Sequence, residues 1–224
     1  MMKEQNEEKN LEVSGFIAKT EQFLQENKKK LTIGVCIVVG VALAIWAYVA
    51  LVAQPRQMRA AESMYAAEQW FNSGDFEKAL SGDDQFLGFT DVIDQYGGTR
   101  SGNLARYYAG ICHLNLGKYD EAIDLLKSYK GNDAFTGAEA LMLIGDAYAE
   151  LEQPAEAVKY YQKAADKANN FVISPVALWK AGMMHMQLGD KKAATTAFQK
   201  IKDNYPESSE YAEVDKYLAF AENK

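Results

Sequence analysis

Cysteine and histidine, the side chains that most often hold metals or carry redox chemistry, occur only twice each in this sequence. Cys36 lies in a long apolar run and Cys112 in the polar remainder, so the two do not pair within one chain. Neither a disulfide framework nor a CxxC redox centre can be assembled. Cys112 reads as a small buried apolar residue. His113 and His185 occupy matching places in a repeated pattern, two repeats apart. Stacking at helix-pair spacing sets their rings roughly 20 Å apart, too far to share a metal. Both read as packing residues. No Ser/His/Asp or Cys/His arrangement stands out. The glycine-rich stretch Gly97–Gly102 has no GK[ST] and so is not a phosphate loop; it reads as the end of one helix and the start of the next. An excess of basic charge is missing too. Residues 57–224 carry 17 basic and 25 acidic side chains, a net of −8, which argues against nucleic acid. The expectation is a protein that is not an enzyme, with no catalytic residue, no metal and no cofactor.

The stretch that is present in force is Leu31–Val52, 22 residues without a charge. At about 1.5 Å per residue, a helix of that length crosses a hydrocarbon core of roughly 30 Å. A lone segment in lipid must satisfy its own backbone, which leaves helix as its conformation. Lys28, Lys29 and Lys30 stand immediately before it, and only Arg56 and Arg59 follow closely. Positive residues stay on the cytoplasmic side, so the N-terminus is expected inside and everything after Gln54 outside. The run exceeds the apolar core of a cleaved signal and lacks a small-residue cleavage site. Val35 before Cys36 also argues against a lipoprotein signal. Residues 31–53 are therefore expected to be a retained anchor, ending at Gln54-Pro55 because proline disfavours helix in the residue before it. Residues 1–30 form a cytoplasmic tail of zero net charge. Met1–Asn10 is expected to lack order, and Val13–Leu24 has the spacing of a short amphipathic helix.

Residues 57–222 are expected to be one domain outside the cytoplasm, and they repeat. Gly110, Gly145 and Gly182 are 35 and 37 residues apart. Three residues beyond each stands a ring: His113, Tyr148, His185. Twelve beyond stands alanine, at Ala122, Ala157 and Ala194, and sixteen beyond stand Leu126, Tyr161 and Phe198. Ala67, Trp70 and Ala79 keep the same spacing in an earlier unit. Glycine within a helix costs roughly 1 kcal/mol against alanine, which makes sense where a second helix passes close. Gly74-Asp75, Gly117-Lys118, Glu152-Gln153 and Gly189-Asp190 mark the turns, and Phe76 and Tyr119 follow two of them as apolar plugs. A single hairpin cannot bury both faces, so the units must stack.

These units resemble the tetratricopeptide repeat family over most of Ala60–Tyr205, with Ala140–Asp166 the nearest match, then Leu104–Leu126, then Leu178–Pro206. Two departures stand out: an insertion at Ser81–Phe89 before a helix ending near Tyr96, and a lengthened connection at Asn169–Ser174. Ser208–Ala221 looks like the capping helix a solenoid needs. The resemblance implies an all-α fold: one N-terminal transmembrane helix, then a tetratricopeptide-repeat solenoid with a C-terminal capping helix. The layout of basic-flanked anchor and few repeats is similar to the membrane-anchored ancillary subunit of the bacterial Sec translocon. That family implies an inner-membrane, single-pass protein with its N-terminus in the cytoplasm and its repeat domain, residues 57–222, in the periplasm. Its partners would be the Sec translocon, a membrane-anchored periplasmic chaperone of the prolyl-isomerase type, and exported client chains. A scaffold for another envelope complex is the alternative; a mitochondrial import receptor fits the charge pattern less well.

By analogy with the family, the first helix of each unit presents a groove face: Met64 and Phe71; Tyr107, Ile111 and Leu114; Met142; and Trp179, Met183 and Met186. Family receptors that clamp a C-terminal carboxylate place Lys, Arg and Asn there, and this chain does not. An aromatic and methionine-rich groove suits apolar segments or an amphipathic helix. Within the anchor, Gly40, Ala44 and Ala47 share one helical face, a small-residue pattern that permits close approach of a partner helix.

Overall fold

The computed structural model describes the backbone of residues 2–222 and the side chains of residues 24–221. The chain divides into two compact units, residues 1–55 and 56–224. No strand occurs among the described residues.

The first unit is helical, with α1 at Met2–Tyr48 followed by a π-helical turn at Val49–Ala53. Helix begins at Met2, so the backbone of Met2–Asn10, where order was not expected, is helical; Met1 and the side chains of the Val13–Phe23 part of the amphipathic stretch lie outside the described residues. From Leu24 onward this helix is long and apolar enough to cross a membrane, and no residue of its most hydrophobic window is buried. Leu51, for instance, is 75% accessible. The expected stop at Gln54-Pro55 is absent. Gln54 donates its N–H to the Val49 carbonyl, five residues back, and α2 runs from Gln54 to Asn72. Pro55 has no N–H to give, and its ring would press on the carbonyl four residues earlier in a regular α-helix. Widening the preceding turn to π geometry is one way to carry a proline without ending the helix.

The second unit is a stack of helix hairpins. After α2 come α3 (Phe76–Ser81), α4 (Phe89–Tyr96), α5 (Arg100–Asn115) and α6 (Tyr119–Ser128). Then follow α7 (Thr136–Glu150), α8 (Pro154–Ala168), α9 (Ile173–Gln187), α10 (Lys191–Asn204) and the cap α11 (Tyr211–Glu222). All four hairpin turns place one residue in the left-handed region: Gly74, Gly117 and Gly189 at φ 81°, 72° and 75°, and Glu152 at 57°. The next residue returns its N–H to a carbonyl five back, as in Asp75 to Trp70 and Gln153 to Tyr148. This is the six-to-one closure of a helix C-terminus.

The glycine spacing has its physical reason in the hairpin crossings. A methyl group added at Gly110, Gly145 or Gly182 would come within 2.6 Å of Leu126, Tyr161 or Phe198 respectively. Each glycine thus gives up its side chain to the residue sixteen further on. The inserted segment after Ala79 interrupts the second helix of the first unit, so that α3 and α4 are separated by a loop whose two ends, Gly82 and Gly88, meet backbone to backbone. Asp83 ties that loop through bonds from the Gln85 and Phe86 N–H groups, both 3.0 Å. At Gly97–Gly102, α4 ends and α5 begins. The Thr99 hydroxyl donates to the Tyr96 carbonyl at 2.7 Å and accepts from the Gly102 N–H at 2.9 Å. The lengthened connection is organised by Asn169, a left-handed helix cap, and by Asn170, whose side-chain Oδ1 accepts from the N–H groups of Val172 and Ile173. At the end of the stack, Val214, Leu218 and Ala221 of α11 are buried against Phe198, Ile201 and Leu178.

Candidate functional site

The face expected to line a groove is built by α2, α5, α7 and α9. Met64 and Tyr107 belong to the core instead, at 3% and 7% accessibility. Tyr107 packs edge-on to Tyr108 and against Tyr129. Burial, and then Glu139, push its phenol well above the usual tyrosine range. Phe71 is half-buried among the rings of Phe76, Phe89 and Tyr108. Trp179 is half-buried between Phe198 and Tyr217, with centroids 5.4 and 4.6 Å away. It therefore joins α9 to α10 and the cap. The half-buried residues of this set outside these aromatic clusters are Ile111, Leu114, Met142, Met183 and Met186.

The repeat offsets show what stands between them. Tyr107, Ile111 and Leu114 of α5 correspond to Met142, Asp146 and Ala149 of α7, 35 residues on, and to Trp179, Met183 and Met186 of α9. The middle of the face is thus an acid. Asp146 Oδ1 accepts from the Tyr161 hydroxyl at 2.7 Å and from Lys180 Nζ at 2.6 Å. One carboxylate on α7 binds α8 and α9 together, and the Tyr161 phenol is driven upward by its burial and by this neighbour. Sequence reasoning missed Asp146 and Lys180 because it followed apolar residues only; aligning all three units at their 35- and 37-residue offsets exposes the substitution. The result is a face with apolar stretches on α5 and α9 and a fixed polar bridge between.

Cys112 is fully buried, and burial pushes its thiol up to about 12, so it is protonated at neutral pH. Both histidines are half-buried with their Nδ1 atoms unpartnered, and burial lowers the pKa of His113. Among the described residues no group of three or more His, Cys, Asp or Glu side chains could hold a metal ion. In the first unit Gly40 and Ala44 are exposed and Ala47 is half-buried; a methyl group on Gly40 would meet nothing within 4 Å.

A crystal structure of MamA superposes with a TM-score of 0.58 at 18% identity, over 72% of this chain and 80% of that one. A Podosopora anserina kinesin light chain of nearly identical TPR-like repeats gives 0.55 at 14% identity, over 73% and 84%. At such identities these likenesses show the fold alone. The TPR repeat-containing protein MJ1428 of Methanocaldococcus jannaschii is 31% identical over 100 residues, 45% of this chain. The matched segment is only 17% of that relative's length. Residues 38–215, well over half the chain, match the family described as T7SS, ESX-1 secretion system protein EccA1, N-terminal domain. Hairpin geometry, repeat spacing and this match agree, and the chain belongs to the EccA1 N-terminal domain family, with the fold of a tetratricopeptide-repeat solenoid.

Proposed function

We propose that this protein is a non-enzymatic adaptor, held in the inner membrane by residues 31–53, whose periplasmic repeats bring a chaperone to chains leaving the Sec translocon. The observation that carries the reading is a set of half-buried apolar side chains: Ile111 and Leu114 on α5, Met183 and Met186 at the matching places on α9, and Met142 on α7 beside the polar bridge. Methionine adapts to varied apolar surfaces, which suits clients of differing sequence. The basic residues before the anchor favour an N-terminus in the cytoplasm. The family's description as part of a secretion system supports a role in moving proteins across an envelope. The face of Gly40, Ala44 and Ala47 then meets a helix of a membrane partner, and leucine at Gly40 and Ala44 should weaken copurification of that partner.

A photo-crosslinking amino acid placed at Ile111 or Met183 in the native membrane tests the assignment. Adducts with translocon subunits, a prolyl-isomerase-type chaperone and exported chains are expected. A second reading, a scaffold that holds one fixed partner, draws support from the Asp146–Lys180–Tyr161 bridge, which stiffens the face. A single adduct with an envelope protein unconnected to export would decide for the scaffold.

A further inference from the structure

A second concavity, of about 300 Å³, lies between α6 and α8 with α7 as its floor. Its floor includes Leu141 and Ile144, and its rim carries Lys127, Lys163, Lys167 and Tyr160. The groove residue Met142 faces elsewhere, since successive residues of a helix point about 100° apart.

The charge here runs against the net charge of the domain. In a region of net −8, three ammonium groups converge on one cleft. None of the three is in an ion pair among the described residues; the recorded pairs involve Lys78, Lys159, Lys180, Lys202 and Lys216. The neighbouring Asp166 lines a separate cleft with Asn169 and Lys200. Lys127 is oriented by a 2.9 Å bond from its Nζ to the Tyr148 hydroxyl, and its ammonium lies 5.8 Å from the Tyr160 ring centre. Lys163 sits over the same ring at 4.8 Å. Tyrosine faces thus hold two of the cations in place while leaving them donors to spare.

We propose that this cleft receives an acidic stretch of a partner protein, with carboxylates on Lys127, Lys163 and Lys167 and an aliphatic side chain on the Leu141–Ile144 floor. The negative charge of the surrounding domain repels such a segment elsewhere, so the lysines fix where it lands as well as whether it binds. Exposed ammonium groups are screened by salt over about 8–10 Å, so the interaction weakens as ionic strength rises. The site is separate from the apolar groove and does not rest on the export reading.

The test uses the full chain in an uncharged detergent and fluorescence anisotropy of a fluorescein-labelled nonapeptide alternating glutamate and leucine. The same peptide with glutamine for glutamate is expected to bind at least about tenfold more weakly. The pair Lys163→Glu and Lys167→Glu should lose affinity by a similar factor. The pair Lys192→Glu and Lys200→Glu, an equal charge change at the cleft between α8 and α10, should alter it by less than about threefold. Arginine at positions 163 and 167 should retain binding. Equal binding of the glutamine peptide, equal losses from the two reversal pairs, or no binding at low salt would each overturn the proposal. Displacement by phosphatidylglycerol vesicles more readily than by unlabelled peptide would assign the cleft to lipid headgroups and overturn it as well. Crosslinks from Ile111 should persist in the Lys163→Glu, Lys167→Glu protein, so a failure at this cleft leaves the groove reading standing.

Discussion

Gly145 shows how one missing side chain sets a whole hairpin. A methyl group there meets the Tyr161 ring at 2.6 Å, and that ring cannot swing aside because Asp146 holds its hydroxyl. Overpacking of this kind costs about 1–3 kcal/mol, while alanine regains roughly 1 kcal/mol of helix propensity. Because the ring is fixed, the cost lies in the upper half of that range, and Gly145→Ala should destabilise by a net of about 1–2 kcal/mol, a fall of roughly 2–8 °C in Tm for a domain of this size. A melting curve unchanged by the substitution would mean that the crossing is looser than described. Glu152 makes the converse case. It occupies the left-handed position that glycine fills in the other three turns, at a cost of about 1–2 kcal/mol for an L-residue. Glu152→Gly removes that strain but gives the unfolded chain more freedom, so a gain of about 0.5–1 kcal/mol is expected, read as a higher urea midpoint with unchanged slope.

At the scale of the helix, α7 depends on its start. The Asp133 carboxylate accepts from the Thr136 hydroxyl at 2.7 Å and from the Phe135 and Thr136 N–H groups at 2.9 and 2.6 Å. The Thr136 hydroxyl is the main reason its pKa is held down to about 2, against 3.8 for an unperturbed aspartate. A folded pKa below the unfolded one contributes stability that is present above about pH 3.8 and lost as pH falls through about 2. Asp133→Asn should lower the melting temperature at pH 5, and the gap from the parent should close between about pH 4 and pH 2. A gap that stays constant across that range would rule out the carboxylate as the cap. The hairpins themselves were legible in the sequence because each turn and each crossing demands a residue type: Gly117 for its dihedral, Gly110 for its missing Cβ. Pro55 was misleading, since a rule about α-helical geometry does not anticipate a π turn at Val49–Ala53 that accommodates the ring. Asp146 escaped notice for another reason: a polar residue in an apolar series has meaning only through its partners on α8 and α9, which the series does not reveal.

For the molecule as a whole, the proposed orientation rests on charge. If Lys28, Lys29 and Lys30 stay in the cytoplasm as proposed, protease added to spheroplasts should digest residues 57–224 and spare the first 30. Survival of the repeats until the membrane is lysed would reverse the topology. The candidate groove was only partly legible at this scale. Periodicity places Ile111 and Met183 on one face of their helices, but it does not distinguish a side chain facing solvent from one covered by the next element. Trp179 is covered by Tyr217, which lies 38 residues away in α11, beyond the reach of any local pattern. Tyr107 is likewise enclosed by Tyr129.

A linear stack pulled from its ends transmits the same tension through every junction in series, so the weakest junction yields first. The junction of α7, α8 and α9 is riveted by the half-buried Asp146, whereas the 12-residue α11 is held by one buried face, the Tyr217 ring and an exposed Lys202–Asp215 ion pair, which contributes little. Under load applied at the C-terminus, the cap should peel away as a first short extension in an optical-tweezer trace, ahead of any hairpin. Peeling uncovers Trp179 and Phe198, so mechanical tension on this end would expose an aromatic surface that the resting molecule keeps closed.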